Sequence, residues 1–155
     1  MEAIFGSSRF DLLPHLTALL IAYLLALPIG WNRETEERSA GLRTFPLVAV
    51  ASCGFVQATE LMMTAHPEGM ARVLEGIIAG MGFIGGGAIL RLENSVKGTA
   101  TAASLWVTGA IGVSAGLGSY GVAIVLSLIT ILTLWPLAVF KEKVITQTKG
   151  GTEKK

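Results

Sequence analysis

The chain has 155 residues, of which 52% are hydrophobic and 15% charged, with a mean hydropathy of +0.62. Soluble domains carry roughly 25% charged residues, and a compact chain this poor in charge cannot cover its exterior with polar groups, so lipid is the expected solvent. The net charge of +1 supplies no field to draw nucleic acid, and the single Cys53 cannot form an internal disulfide.

A hydrocarbon core of about 30 Å calls for about 20 helical residues. Five weakly charged stretches approach that length: 12–29, 45–64, 73–90, 99–117 and 120–140. The first reads as a permanent helix and not a signal peptide, because Arg9 is balanced by Glu2 and Asp11 and no small-residue cleavage site follows Leu27. The second carries Gln57 and Glu60 and opens on Phe45-Pro46, with Thr44 expected as its N-cap. The third begins beside Glu75. The fourth is mostly Ala, Gly, Ser and Thr, with Thr99 or Thr101 as its expected cap, and the fifth is the clearest apolar run. The expectation is an all-α, polytopic membrane protein. Residues 1–140 form one transmembrane helical bundle, and 141–155 a basic, flexible cytoplasmic tail.

Five crossings place 2 of the 12 Lys and Arg, Arg9 and Arg72, on one side and the other 10 on the opposite side. The positive-inside rule then sets the N-terminus outside and the C-terminus in the cytoplasm. With the acidic residues included, the outer side carries about −3 and the inner about +4, so near-neutrality conceals a polarised molecule.

Glycine is concentrated: 12 of the 19 lie between Gly76 and Gly121. The pairs Gly76/Gly80, Gly82/Gly86 and Gly112/Gly116 fit the small-xxx-small pattern that lets helix backbones approach, which predicts that helices three and four form the tightly packed centre. The run Gly85-Gly86-Gly87 reads either as close packing or as a helix break that exposes carbonyls to an ion or substrate. Residues 80–85 match G-x-G-x-x-G letter for letter, yet the flanks are apolar and Leu105 stands where the dinucleotide fold needs an acid. No nucleophile has a histidine placed as its base, and an enzyme is not expected.

Two polar clusters remain. The outer one contains Glu60, about 22 Å from the start of the second stretch at 1.5 Å per residue. With Glu75 it forms a candidate outer cation site for Mg²⁺, read equally as a pair of interfacial acids. The inner one gathers Arg33, Glu34, Arg43, Thr44, Arg91, Asn94, Lys97, Thr101 and Ser104 near helix ends. It reads as capping and topology signals or as a basic, hydroxyl-lined docking surface. Asn94 joins it because a neutral amide in a tight turn can bond backbone and either charge.

Three blocks in order carry a resemblance. Ala40-Gly41-Leu42-Arg43-Thr44, then residues 82–91 (GFIGGGAILR), then Val96-Lys97-Gly98 leading into Thr101 to Thr108 (TAASLWVT) resemble the MgtC/SapB family of bacterial inner-membrane proteins. The resemblance carries over Arg33, Glu34, Gly41, Arg43, Thr44, Arg91, Lys97, Gly98, Thr101, Ser104 and Trp106. One departure is Asn32, standing where the family's G-x-E-R-E block has its first acid; another is that longer members continue into a cytoplasmic domain similar to the ACT fold. The family is linked in some members to growth at low magnesium and survival inside host cells. The resemblance implies a regulatory role on other membrane proteins such as the F-type ATP synthase, so the expected function is a non-enzymatic modulator of magnesium or membrane-energy homeostasis. Self-association is expected because five short helices bury few faces. The alternative is a divalent-cation transporter or channel.

Overall fold

A computed structural model describes residues 12–35, 40–59, 67–93 and 95–150, with side chains in the last helix described as far as residue 135. Five helices are present: α1 (Leu12–Thr35), α2 (Thr44–Ala58), α3 (Pro67–Gly87), α4 (Thr99–Gly116) and α5 (Tyr120–Gly150). Between α3 and α4 stands an antiparallel hairpin, β1 (Leu90–Leu92) with β2 (Ser95–Lys97), in the register Leu90↔Lys97, Arg91↔Val96, Leu92↔Ser95.

Several boundaries differ from the expected ones. α1 continues past Ile29 to Thr35, because an uncharged run marks contact with lipid, whereas Asn, Arg and Glu extend a helix without strain. α2 stops at Ala58, where the Thr59 amide and hydroxyl both return to the Val56 carbonyl, at 3.1 and 2.8 Å. α3 starts earlier, at Pro67 with Glu68 in its first turn, a favourable combination at a helix N-terminus. It also ends earlier: the Gly85-Gly86-Gly87 run leads out of the helix, and Leu90 belongs to a strand. α5 extends beyond Phe140 to Gly150.

Neither expected threonine cap forms. Thr44 is already helical, and its N–H and that of Phe45 donate to the Gly41 carbonyl at 3.0 and 3.2 Å. Gly98 precedes α4 in the left-handed region with φ +89°, and its carbonyl accepts from Ala102 N at 2.8 Å. A Cβ on Gly98 would overlap the Ala88 carbonyl oxygen, so this joint between hairpin and helix requires glycine.

α4 is the hub, in contact with each of the other helices, and its most extensive contact is with α2. The core is made of small and branched side chains: Ala18, Ala22, Ala26 and Ile29 form one stripe of α1 against Phe45, Ala49 and Cys53 of α2 and Leu105, Ile111 and Ala115 of α4. Cross-helix hydrogen bonds add to the packing. Gln57 Nε2 donates to the His15 carbonyl at 3.2 Å, and Ser127 Oγ to the Leu25 carbonyl at 2.8 Å, just before Pro28 interrupts the α1 ladder.

The outside is apolar. Leu16, Leu20 and Leu24 on α1, Leu47 and Phe55 on α2, Phe83 on α3, and Leu128 and Leu132 on α5 are all more than half exposed. Among the described residues, α1 is the helix long and apolar enough to cross a membrane, with a mean hydropathy of 2.0, while the apolar lengths of α2 and α5 are shorter. An apolar exterior around a helical bundle fits a helical membrane domain.

Candidate functional site at the basic end of the bundle

The ends of α1 and α3 and the starts of α2 and α4 meet at one end of the bundle, beside the hairpin. Here the segment from Ala40 to Phe45 folds back on the last turns of α1. A Cβ on Gly30 would lie 3.2 Å from the Gly41 oxygen and from Leu42 Cα, and a Cβ on Gly41 would overlap the Glu34 carboxylate. Glu34 Oε2 in turn accepts from Leu42 N at 3.1 Å. Glu34 and Gly41 therefore form one unit: the carboxylate holds the returning backbone, and the absent side chain leaves room for it.

One turn of α1 places Asn32 and Arg33 inside the bundle, 6% and 3% exposed. The Arg33 Nε donates to Asn32 Oδ1 at 3.1 Å, and Nη2 donates to the same oxygen. The departure noted at Asn32 thus acquires a physical meaning. A neutral amide oxygen accepts from the buried guanidinium where an acid would also supply the opposite charge.

The remaining predicted residues divide by exposure. Thr101 and Ser104 are buried on α4, with Ser104 Oγ donating to the Thr101 carbonyl at 3.0 Å, so neither hydroxyl lines an open vestibule. Thr101 Oγ1 has no hydrogen-bond partner among the described residues. Arg43, Arg91 and Lys97 are exposed, Trp106 is half-exposed, and Thr44 is half-buried. The hairpin register places Lys97 opposite Leu90 and Arg91 opposite Val96, so each cation has an apolar cross-strand neighbour. Asn94 and Glu60 lie outside the described residues. Glu75 is exposed on α3, and no group of three or more His, Cys, Asp or Glu suited to a metal ion occurs among the described residues.

The glycines fall into two sets. On α4, a Cβ at Gly112 would overlap the Ala49 carbonyl oxygen and come within 2.8 Å of Ser52 Cβ; at Gly116 it would lie 2.8 Å from Val56 Cβ and 2.9 Å from the Cys53 oxygen. Gly109, absent from the sequence-based set, faces Met81 of α3 at 2.8 Å; its position three residues before Gly112 on the same face was the available signal. On α3, Gly85 meets a neighbour, the Ala102 oxygen at 3.3 Å. A Cβ at Gly76, Gly80, Gly82, Gly86 or Gly87 would find nothing within 4 Å among the described residues. The expected tight pairing of helices three and four through their glycines is therefore corrected: the close backbone approach is α4 on α2, and α3 buries Met81 and Gly85 against α4 while most of its surface stays open.

An apolar-surfaced helical bundle with a basic, glycine-fitted end defines a protein class of the membrane-domain type. The chain belongs to the MgtC family, whose pattern matches residues 19–143. It is 39% identical over 121 residues to Protein MgtC of Salmonella typhimurium, covering 78% of this chain and 51% of that one. It is 38% identical over 128 residues to Protein SrpB of Synechococcus elongatus, with 75% of this chain and 70% of the relative covered. Protein MgtC of Brucella abortus is 41% identical over 107 residues, covering 68% and 44%. The chain thus spans about half the length of the Salmonella relative. No solved structure matches it.

Proposed function

We propose that this chain is a multi-pass protein of the bacterial inner membrane, N-terminus outside and C-terminus in the cytoplasm, that modulates magnesium or membrane-energy homeostasis by contacting other membrane proteins and catalyses no reaction itself. The observation that carries the reading is the face of α3 turned away from the bundle. Successive helical residues turn by about 100°, so Gly82 and Gly86 lie about 120° round α3 from the groove-lining Gly76 and Gly80, and Phe83, between the two pairs, is 87% exposed. A flat glycine strip edged by an aromatic ring suits a partner helix, from another membrane protein or from a second copy of this chain. Close packing of α4 on α2 leaves no room for a conduit along that seam, which supports this reading. The family's association with magnesium supports the class of process. Mg²⁺ is in this reading the regulated ion and not a resident cofactor.

Liposomes containing only this protein test the reading. The expected result is no protein-dependent flux of magnesium or protons. Flux abolished by Gly86→Leu would overturn it in favour of a transporter. A phosphatase fused after Phe140 is expected to be inactive, and activity there would overturn the assigned orientation.

A further inference from the structure

Between α2 and α3 runs an open groove of about 720 Å³. Leu47 and Phe55 form part of one wall, while Gly76, Gly80 and Ile84 form part of the other, and Arg43 stands at the end where α2 begins. The α2 wall of 15 residues is about 22 Å long at 1.5 Å per residue. One leaflet of hydrocarbon is about 15 Å deep, half of a core of about 30 Å. The groove therefore has the length of an extended acyl chain, and glycines deepen it where side chains would close it. Its lining is apolar apart from Arg43, Thr44 and Thr59, and the Thr59 hydroxyl is already bonded to its own helix.

We propose that this groove is a site for one anionic phospholipid, with an acyl chain against Gly76 and Gly80 and the phosphate on Arg43. The reading rests on the membrane assignment above and goes beyond it by naming a ligand. Charge complementarity selects the occupant. Arg43 is exposed, with no ion pair among the described residues, and a guanidinium presents parallel N–H donors to a phosphate. Among the described residues at the same end of the bundle, the exposed cations Arg43, Arg91 and Lys97 outnumber the exposed acids Glu34 and Glu93. A second copy inserted in the same orientation would bring an equally basic end to the same depth, where like charges repel. An anionic headgroup neutralises that end, as in other basic pockets between membrane helices.

The test uses the full chain in vesicles of phosphatidylglycerol and phosphatidylcholine in equal parts, extracted in mild detergent and weighed by native mass spectrometry. The expected result is one retained phosphatidylglycerol per chain in preference to phosphatidylcholine. Arg43→Ala should lower that preference about fivefold, the contribution of one basic side chain at an anionic surface, and Arg43→Lys should restore most of it. Gly80→Leu, placed where an added Cβ meets nothing, should leave helicity unchanged and remove the retained lipid. Arg72→Ala, exposed near the other end of α3, should behave as the unmodified chain. Equal retention of the two lipids, or an Arg43→Ala protein with undiminished preference, would overturn the site. So would a Gly80→Leu protein that keeps its lipid but changes subunit stoichiometry, which would assign the groove to a second copy. A chain that associates with vesicles of neither lipid would overturn the membrane assignment as well.

Discussion

α3 and α4 follow one another in sequence, both carry glycines at four-residue spacing, and they differ in what those glycines do. On α4, Gly112 and Gly116 bring backbone onto the carbonyls of Ala49 and Cys53. On α3, a Cβ at Gly76, Gly80, Gly82 or Gly86 meets nothing within 4 Å among the described residues. A small-residue stripe thus specifies a flat helix face. Whether that face is closed by the same chain or left for lipid or a partner depends on where the neighbouring helix runs.

The sharpest test of this contrast is Gly112→Ala, whose methyl group would meet backbone that cannot rotate away. It should cost about 3 kcal/mol, the upper end of core overpacking, measured by reversible unfolding in mixed micelles. Loss of less than about 0.5 kcal/mol, the range of neutral surface changes, would mean that α4 is not seated on α2 as described. Gly98→Ala, at the joint between hairpin and α4, should cost about 2 kcal/mol, because φ +89° is disfavoured for alanine and the methyl meets the Ala88 carbonyl oxygen. Gly109→Ala should cost only about 1 kcal/mol, since the Met81 side chain it meets is flexible and can shift. Gly82→Ala should be neutral or stabilising by up to about 0.8 kcal/mol, because it gains helix propensity and touches nothing. A destabilisation at Gly82 comparable to that at Gly112 would place a neighbour on the open face of α3 and erase the contrast.

Much of this arrangement was legible in the residues. The five apolar runs correspond to five helices, and the Gly41 and Glu34 named from the motif blocks meet as one unit. Helix ends were less legible, because lack of charge reports contact with lipid and not backbone conformation. Arg33 and Glu34 are helical although charged, and Leu90 is apolar although in a strand. The signals for α3 were local and present, with Pro67 at its first position and glycines at its last. The expected caps at Thr44 and at Thr99 or Thr101 do not form because a backbone carbonyl, that of Gly41, and a left-handed Gly98 start these helices without a hydroxyl.

The burial of Arg33 illustrates a second limit. Its charge and its place near a helix end point to an interface, where a long cation normally extends toward water. In the structure Arg33 continues the buried stripe of Ala22, Ala26 and Ile29 on α1, and its guanidinium bonds the neighbouring Asn32.

By itself, the sequence determined five helices and membership of the MgtC family, and its composition pointed to lipid as the solvent. These properties follow from composition, periodicity and residue identity, which act locally or sum along the chain. Tertiary structure alone decided which glycine stripe is buried, that Arg43 stands at the mouth of an open groove, and that Thr101 and Ser104 turn inward. Those outcomes depend on which helices are neighbours, and identical small-residue stripes remain equivalent until a second helix comes to rest against one of them.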